Sequence, residues 1–271
     1  PCYRFIMVMK LDLNTASERC KGSLEEYKEF SKATTGSYMG AVLMPALIAE
    51  GRVPMNYSQY MQRILELREG PKKVKNAWLG YGIDMGDAIV VHPSKKRFKL
   101  DLDSERLRRV TPESNIVFDG VCSGALAISQ EDYDSLDGEE FSFDGCRSYG
   151  RVVEYARNIS KEEVKDSPFW RTLARGEQHV LNNYADLIFS EAKEKFSGKK
   201  DRFDLGKVMG ISLYSCLGDQ YELRPLANLP LHHGCSAACG DLLPLMYSCR
   251  FIGITPEKAN SLDAKLHSGA I

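Results

Sequence analysis

The sequence predicts an α+β fold, with helices and mostly antiparallel strands segregated along the chain. Three observations carry this. A stripe of apolar residues at 3.6 spacing runs through Glu177–Phe196. Period-two alternation marks Arg97–Asp103. The helical and extended segments come in blocks rather than in the strict alternation of a doubly wound fold.

The elements follow in order. Tyr3–Leu13 reads as a strand. Ser23-Leu24-Glu25-Glu26 has the spacing of a capping box and opens a helix. Gly36–Glu50 is a buried helix strained by Pro45. Tyr57–Arg68 is a third helix, with Met61, Ile64, Leu65 and Arg68 three or four apart. Gly80-Tyr81-Gly82-Ile83-Asp84-Met85-Gly86 reads as a turn. It lacks the G-x-G-x-x-G and G-K-[ST] patterns, so no nucleotide-cofactor motif is present.

Ala88–His92 is a strand ended by Pro93. With Arg97–Asp103 it forms a hairpin, whose Lys99, Asp101 and Asp103 are expected on the solvent face. Val121–Ser129 and Glu139–Phe143 add strands around a short helical piece, Gln130–Leu136. Ser160-Lys161-Glu162-Glu163 is another capping box. Phe169, Trp170, Leu173 and Ala174 then share one apolar face. Strands resume at Lys207–Cys216 and Tyr247–Ile254, and the last fifteen residues read as loosely ordered.

Gly145 and Gly150 flank a polar stretch where a charge bias ends. That favours a division into an N-terminal part, 1–146, and a C-terminal part, 147–271.

A chain of 271 residues, 43% hydrophobic and 27% charged, buries a full core and is not a disordered sequence. A net charge of −1 gives no global attraction to nucleic acid or an anionic membrane. The longest apolar run, Tyr38–Ala49, is too short to span a bilayer, and no signal peptide is visible. The expectation is a cytoplasmic protein with reduced thiols and no membrane partner. Pro1, taken as a mature N-terminus, offers a secondary amine as base or nucleophile, with no other feature to accompany it.

Six of the eight cysteines and five histidines fall between Cys216 and Cys249. Zinc takes thiolate and imidazole ligands in a tetrahedron. The expected metal ligands are Cys235, Cys239, His233 and Cys249. Cys235 and Cys239 are four apart and share a face if they lie on a helical turn. Their spacing is one wider than the usual C-x-x-C, and packing as small apolar groups is the plainer reading. A thiol-dependent enzyme using Cys235 or Cys239, activated by His233, is an alternative.

Lys72–Arg109 holds ten Lys/Arg against five Asp/Glu, with Trp78, Tyr81 and Phe98 interleaved. Such a surface can bind nucleic acid or protein. The adjacent stretch from Val110 to Cys146 has nine acidic residues and no basic one, which allows the two blocks to neutralise each other. The Asp101-x-Asp103 pair could hold Mg²⁺, but the Gly-Ser turn of nucleotidyltransferases is missing shortly before it. The apolar helix stripe serves a core or, equally, a homo-oligomer. Substrate and reaction stay open at this level.

Overall fold

The structure is a computed structural model. It describes residues 40–80, 82–93, 96–111, 113–119, 122–142, 147–149, 152–199, 204–216, 220–228, 231, 236–240 and 252–268. The segments 3–13 and 23–33 lie outside the described residues.

The first described helix, α1 (Gly40–Ala49), keeps Pro45 inside it. A short strand, β1 (Val53–Pro54), leads into α2 (Tyr57–Glu66). Asn56 caps α2 and forms a reciprocal capping box with Gln59, which fixes where the helix starts. After α3 (Lys72–Gly80) comes β2 (Ile83–Val91), turning into β3 (Arg97–Asp101) as an antiparallel hairpin. The turn expected over residues 80–86 is therefore strand from Ile83 onward. Gly86 is there because β1 passes close by: a Cβ at Gly86 would sit 2.9 Å from the Pro54 carbonyl oxygen.

One-turn α4 (Glu105–Arg108), β4 (Ile116–Asp119), β5 (Cys122–Ile128), α5 (Gln130–Asp134) and β6 (Phe141–Ser142) follow. Beyond them lie β7 (Arg147–Tyr149), β8 (Val152–Ile159), α6 (Lys161–Asp166), α7 (Pro168–Leu173) and the long α8 (Gln178–Phe196). The chain continues through β9 (Met209–Cys216), β10 (Tyr221–Asn228), β11 (Ser236–Gly240), β12 (Gly253–Ile254) and α9 (Pro256–Ser268).

These elements make an α+β fold. Ten strands form one sheet with the path β6-β3-β2-β10-β11-β9-β8-β7, and β5 with its partner β4 joins at β10. All its pairings are antiparallel except β11 with β9. Strands from both sides of residue 147 interleave, since β2 pairs with β10 along most of its length. β1 and β12 make a separate two-stranded ribbon.

The central sheet is covered on both faces. In β2, Ile83, Met85, Ile89 and Val91 belong to a large core with α2, α7, α8 and α9. Ala88 and Val90 point into a second cluster with Met44, Leu47, Leu107 and Leu223. The predicted stripe of α8 packs as expected: Val180, Leu181, Tyr184, Ala185, Ile188 and Ala192 are buried.

The C-terminal end departs from expectation. Residues 256–268 are a helix rather than loosely ordered chain. Ala259, Leu262 and Leu266 repeat at three and four and are buried. Pro256 occupies the first helical position, and Thr255 Oγ1 accepts from the Lys258 backbone N–H.

Candidate functional site

The site is built around a bulge in β2. Between the pairs Asp84–Ala227 and Ala88–Pro225, β2 has three residues where β10 has one. The surplus residues include Gly86 and Asp87, and a bulge of this kind re-aims a side chain. The Asp87 carboxylate is fully buried. It accepts from the Tyr57 backbone N–H at 2.8 Å, from the Asp103 backbone N–H at 2.8 Å and from Arg175 Nη2 at 2.7 Å. Three donors explain how an anion is tolerated there.

Arg175 comes from the end of α7. The Gly176 N–H bonds the Arg171 carbonyl and the Arg175 N–H bonds the Thr172 carbonyl. This is the Schellman pattern, whose left-handed position glycine usually fills. Here that position is Arg175, at φ 56°, with Gly176 next at φ 82°. An arginine in this conformation costs on the order of 1 kcal/mol. Burial works against its charge, but Asp87 and Asp103 outweigh that and raise the pKa of the guanidinium above its ordinary value.

Asp103 lies in the turn after β3, also left-handed at φ 50°. Its carboxylate accepts from Arg175 Nη2 at 2.9 Å and from Asn56 Nδ2 at 2.8 Å. Arg108 approaches Asp103 at 3.7 Å and pairs with Glu105 at 2.9 Å. The expected solvent-face role of Asp101 and Asp103 is thus replaced by two separate uses. Asp101 is buried and accepts from Ser104 Oγ at 2.6 Å, which in turn caps α4. Asp103 is off the strand, because β3 ends at Asp101. No group of three His, Cys, Asp or Glu that could hold a metal ion occurs among the described residues.

Asp103, Arg108 and Arg175 form one side of a cleft of about 550 Å³. Asn56, Ser58 and Gln59 at the start of α2 form its floor, and α9 supplies the far wall through Asn260, Asp263 and His267. Gln59 Nε2 donates to both Asp263 carboxylate oxygens at 3.1 Å, tying α9 to α2. His267 Nδ1 lies 2.9 Å from Glu177 Oε1 at the rim. Two guanidinium nitrogens of the cleft residues, Arg175 Nη1 and Arg108 Nε, are buried without a hydrogen-bond partner.

The sequence-based candidates fall elsewhere. His233, Cys235 and Cys249 lie outside the described residues. Cys239 is in β11, in register with Ser212 of β9 and Ala227 of β10. The helical turn expected around Cys235–Cys239 is replaced from Ser236 on by a strand. Positions four apart on a strand still share a face but stand about 13 Å apart, too far for one metal ion.

The basic block is largely spoken for. Lys75 pairs with Glu191, Arg97 with Glu140 and Arg106 with Asp132, while Lys99 donates to the Tyr133 and Leu136 carbonyls. The Arg97 and Arg106 pairs join the basic stretch to the acidic one. Among the described residues no helix is long and apolar enough to cross a membrane.

No family model matches this chain, and no curated protein matches its sequence. A solved structure, reported as accommodation of massive sequence variation in Nanoarchaeota by the C-type lectin fold, is similar with a TM-score of 0.46 and 15% identity. The similarity covers 80% of this chain and 95% of that one. Likeness at that level assigns neither a family nor a function.

Proposed function

We propose that this chain is a small-molecule-binding protein and that the cleft between α2, α4, the Arg175 turn and α9 is its binding site. The observation that carries the reading is Arg175. A bulky cation is held in a conformation that favours glycine and is locked by two carboxylates. Yet its Nη1 is buried without a hydrogen-bond partner, and the residue lines a cleft. Strain and an unmet donor concentrate where a ligand is meant to bind. The cleft has the size of a site for a small organic ligand, and its polar groups converge from four separate elements.

The test is a screen of small polar fragments by protein-observed NMR on the full chain, repeated with Asn260→Trp. Asn260 is exposed and lines the cleft, so the indole obstructs it without entering the core. Fragments that perturb Arg175 and Asp263 in the unmodified chain, and cease to in the variant, support the reading. Perturbations scattered over the surface and indifferent to the variant overturn it.

A second reading follows from the Cys/His stretch, with Cys235, Cys239, His233 and Cys249 as zinc ligands. What supports it is the concentration of ligand types between Cys216 and Cys249. It is checked by metal content after purification without added metal or chelator. About one zinc per chain, released with a loss of stability, supports it, and none removes it.

A further inference from the structure

We infer that Asp103 sets the charge class of the ligand, so that the cleft takes an uncharged acceptor oxygen, such as an amide carbonyl, in preference to a carboxylate or a phosphate. The inference rests on the cleft being a ligand site. Two arginines in a cleft wall ordinarily suggest an anion. Here the charges they carry are already matched.

Arg175 Nη2 is hydrogen-bonded to both Asp87 and Asp103. Arg108 is paired with Glu105 and lies near Asp103. The two guanidinium groups therefore face three carboxylates of their own. An anion arriving at Arg175 Nη1 meets no surplus positive charge and sits close to the Asp103 carboxylate. Like charges a few ångströms apart in a partly buried site weaken binding by about tenfold or more. A neutral carbonyl oxygen escapes that penalty and still satisfies the buried donor.

The rest of the wall agrees. Asn260 presents an exposed amide, and Asp263, which already accepts from Gln59 Nε2, adds a further carboxylate to the same space. An amide and a carboxylate suit the N–H groups of an amide-bearing ligand better than the oxygens of a phosphate.

The distinction is open to a direct measurement on the full chain. Arginine side-chain ¹⁵N NMR follows Arg175 during titration with acetamide, acetate and inorganic phosphate at matched ionic strength. In the unmodified chain acetamide shifts Arg175, and the two anions bind about tenfold more weakly or not at all. Asp103→Asn removes one carboxylate, keeps an acceptor oxygen, and tolerates φ 50° as well as Asp does. The affinity for acetate relative to that for acetamide then rises about tenfold.

Acetate or phosphate matching acetamide in the unmodified chain overturns the inference and leaves the cleft a ligand site. No response of Arg175 to any probe in either protein overturns both. If near-UV circular dichroism shows Asp103→Asn to be unfolded, Glu105→Gln takes its place. Glu105 is 63% exposed and neutralises Arg108 from outside the core. The gain in acetate affinity is then read at the Arg108 Nε, and its absence counts against the inference.

Discussion

Arg175 and Asp103 meet at 2.9 Å while both hold left-handed backbone, at φ 56° and φ 50°. Two such residues on different turns, facing each other, are not the accident of one loose loop. Each turn is fixed from outside. The Arg175 turn is closed by the backbone bonds that end α7, and the Asp103 turn by its N–H on Asp87 and its carboxylate on Asn56. Asp87, delivered by the β2 bulge, holds the two turns together.

Replacing Arg175 separates strain from pairing. Arg175→Gly removes the left-handed penalty, a gain of about 1 kcal/mol. It also leaves the buried Asp87 carboxylate with its two backbone donors alone, and loss of one partner of a buried pair costs about 3–5 kcal/mol. The net expectation is a destabilisation of about 2–4 kcal/mol, read as a fall in the urea midpoint at constant slope. A variant as stable as the parent would show that the pair contributes nothing to folding and is kept for the cleft alone.

Gly86 is the second point on which the site depends. An added Cβ would fall 2.9 Å from the Pro54 carbonyl oxygen and 3.0 Å from its Cβ, while the Gly86 N–H and carbonyl are already bonded to Met55 and Ser104. Neither backbone can yield without breaking a hydrogen bond. Gly86→Ala is expected to cost about 1–3 kcal/mol in chemical denaturation. Gly198→Ala, where nothing lies within 4 Å, should change stability by less than about 0.5 kcal/mol.

What the sequence made legible was local. The capping box at Ser160 and the apolar stripe of α8 are short-range signals, and both appear as expected. The hairpin turning between His92 and Arg97 was equally readable. The site was not, because it is assembled by contacts far apart in sequence. Asp87 and Arg175 are 88 residues apart, and neither sits in a motif. One local clue existed: Arg175-Gly176 directly after the apolar face ending at Ala174 is where a helix stops. Nothing in that dipeptide says that the arginine, rather than the glycine, takes the left-handed position. The short α9 was missed for a different reason. Its three buried residues are few, and its other side chains are polar, so its helical period is weak until α2 supplies a partner.

α9 also gives a prediction with a definite pH sign. Glu66, at the end of α2, is bonded to Arg63 at 2.9 Å and to Lys258 at 3.4 Å and Lys265 on α9. Burial alone would raise its pKa, but Lys265, Arg63 and Lys258 together outweigh it and hold the carboxyl below its ordinary value of 4.5. A depressed carboxyl stabilises the fold wherever it is ionised in both states, and that contribution is lost as pH falls through the folded value. Glu66→Gln should therefore be less stable than the parent at neutral pH by about 1 kcal/mol, since the groups are partly exposed. The difference should shrink below pH 4.5 and vanish once the parent's Glu66 is protonated. Thermal unfolding of both proteins from neutral pH into the acid range measures it. Parallel curves across that range would mean that Glu66 does not secure α9. The hold on the cleft wall would then rest on Gln59 with Asp263 and on the buried Leu262 and Leu266.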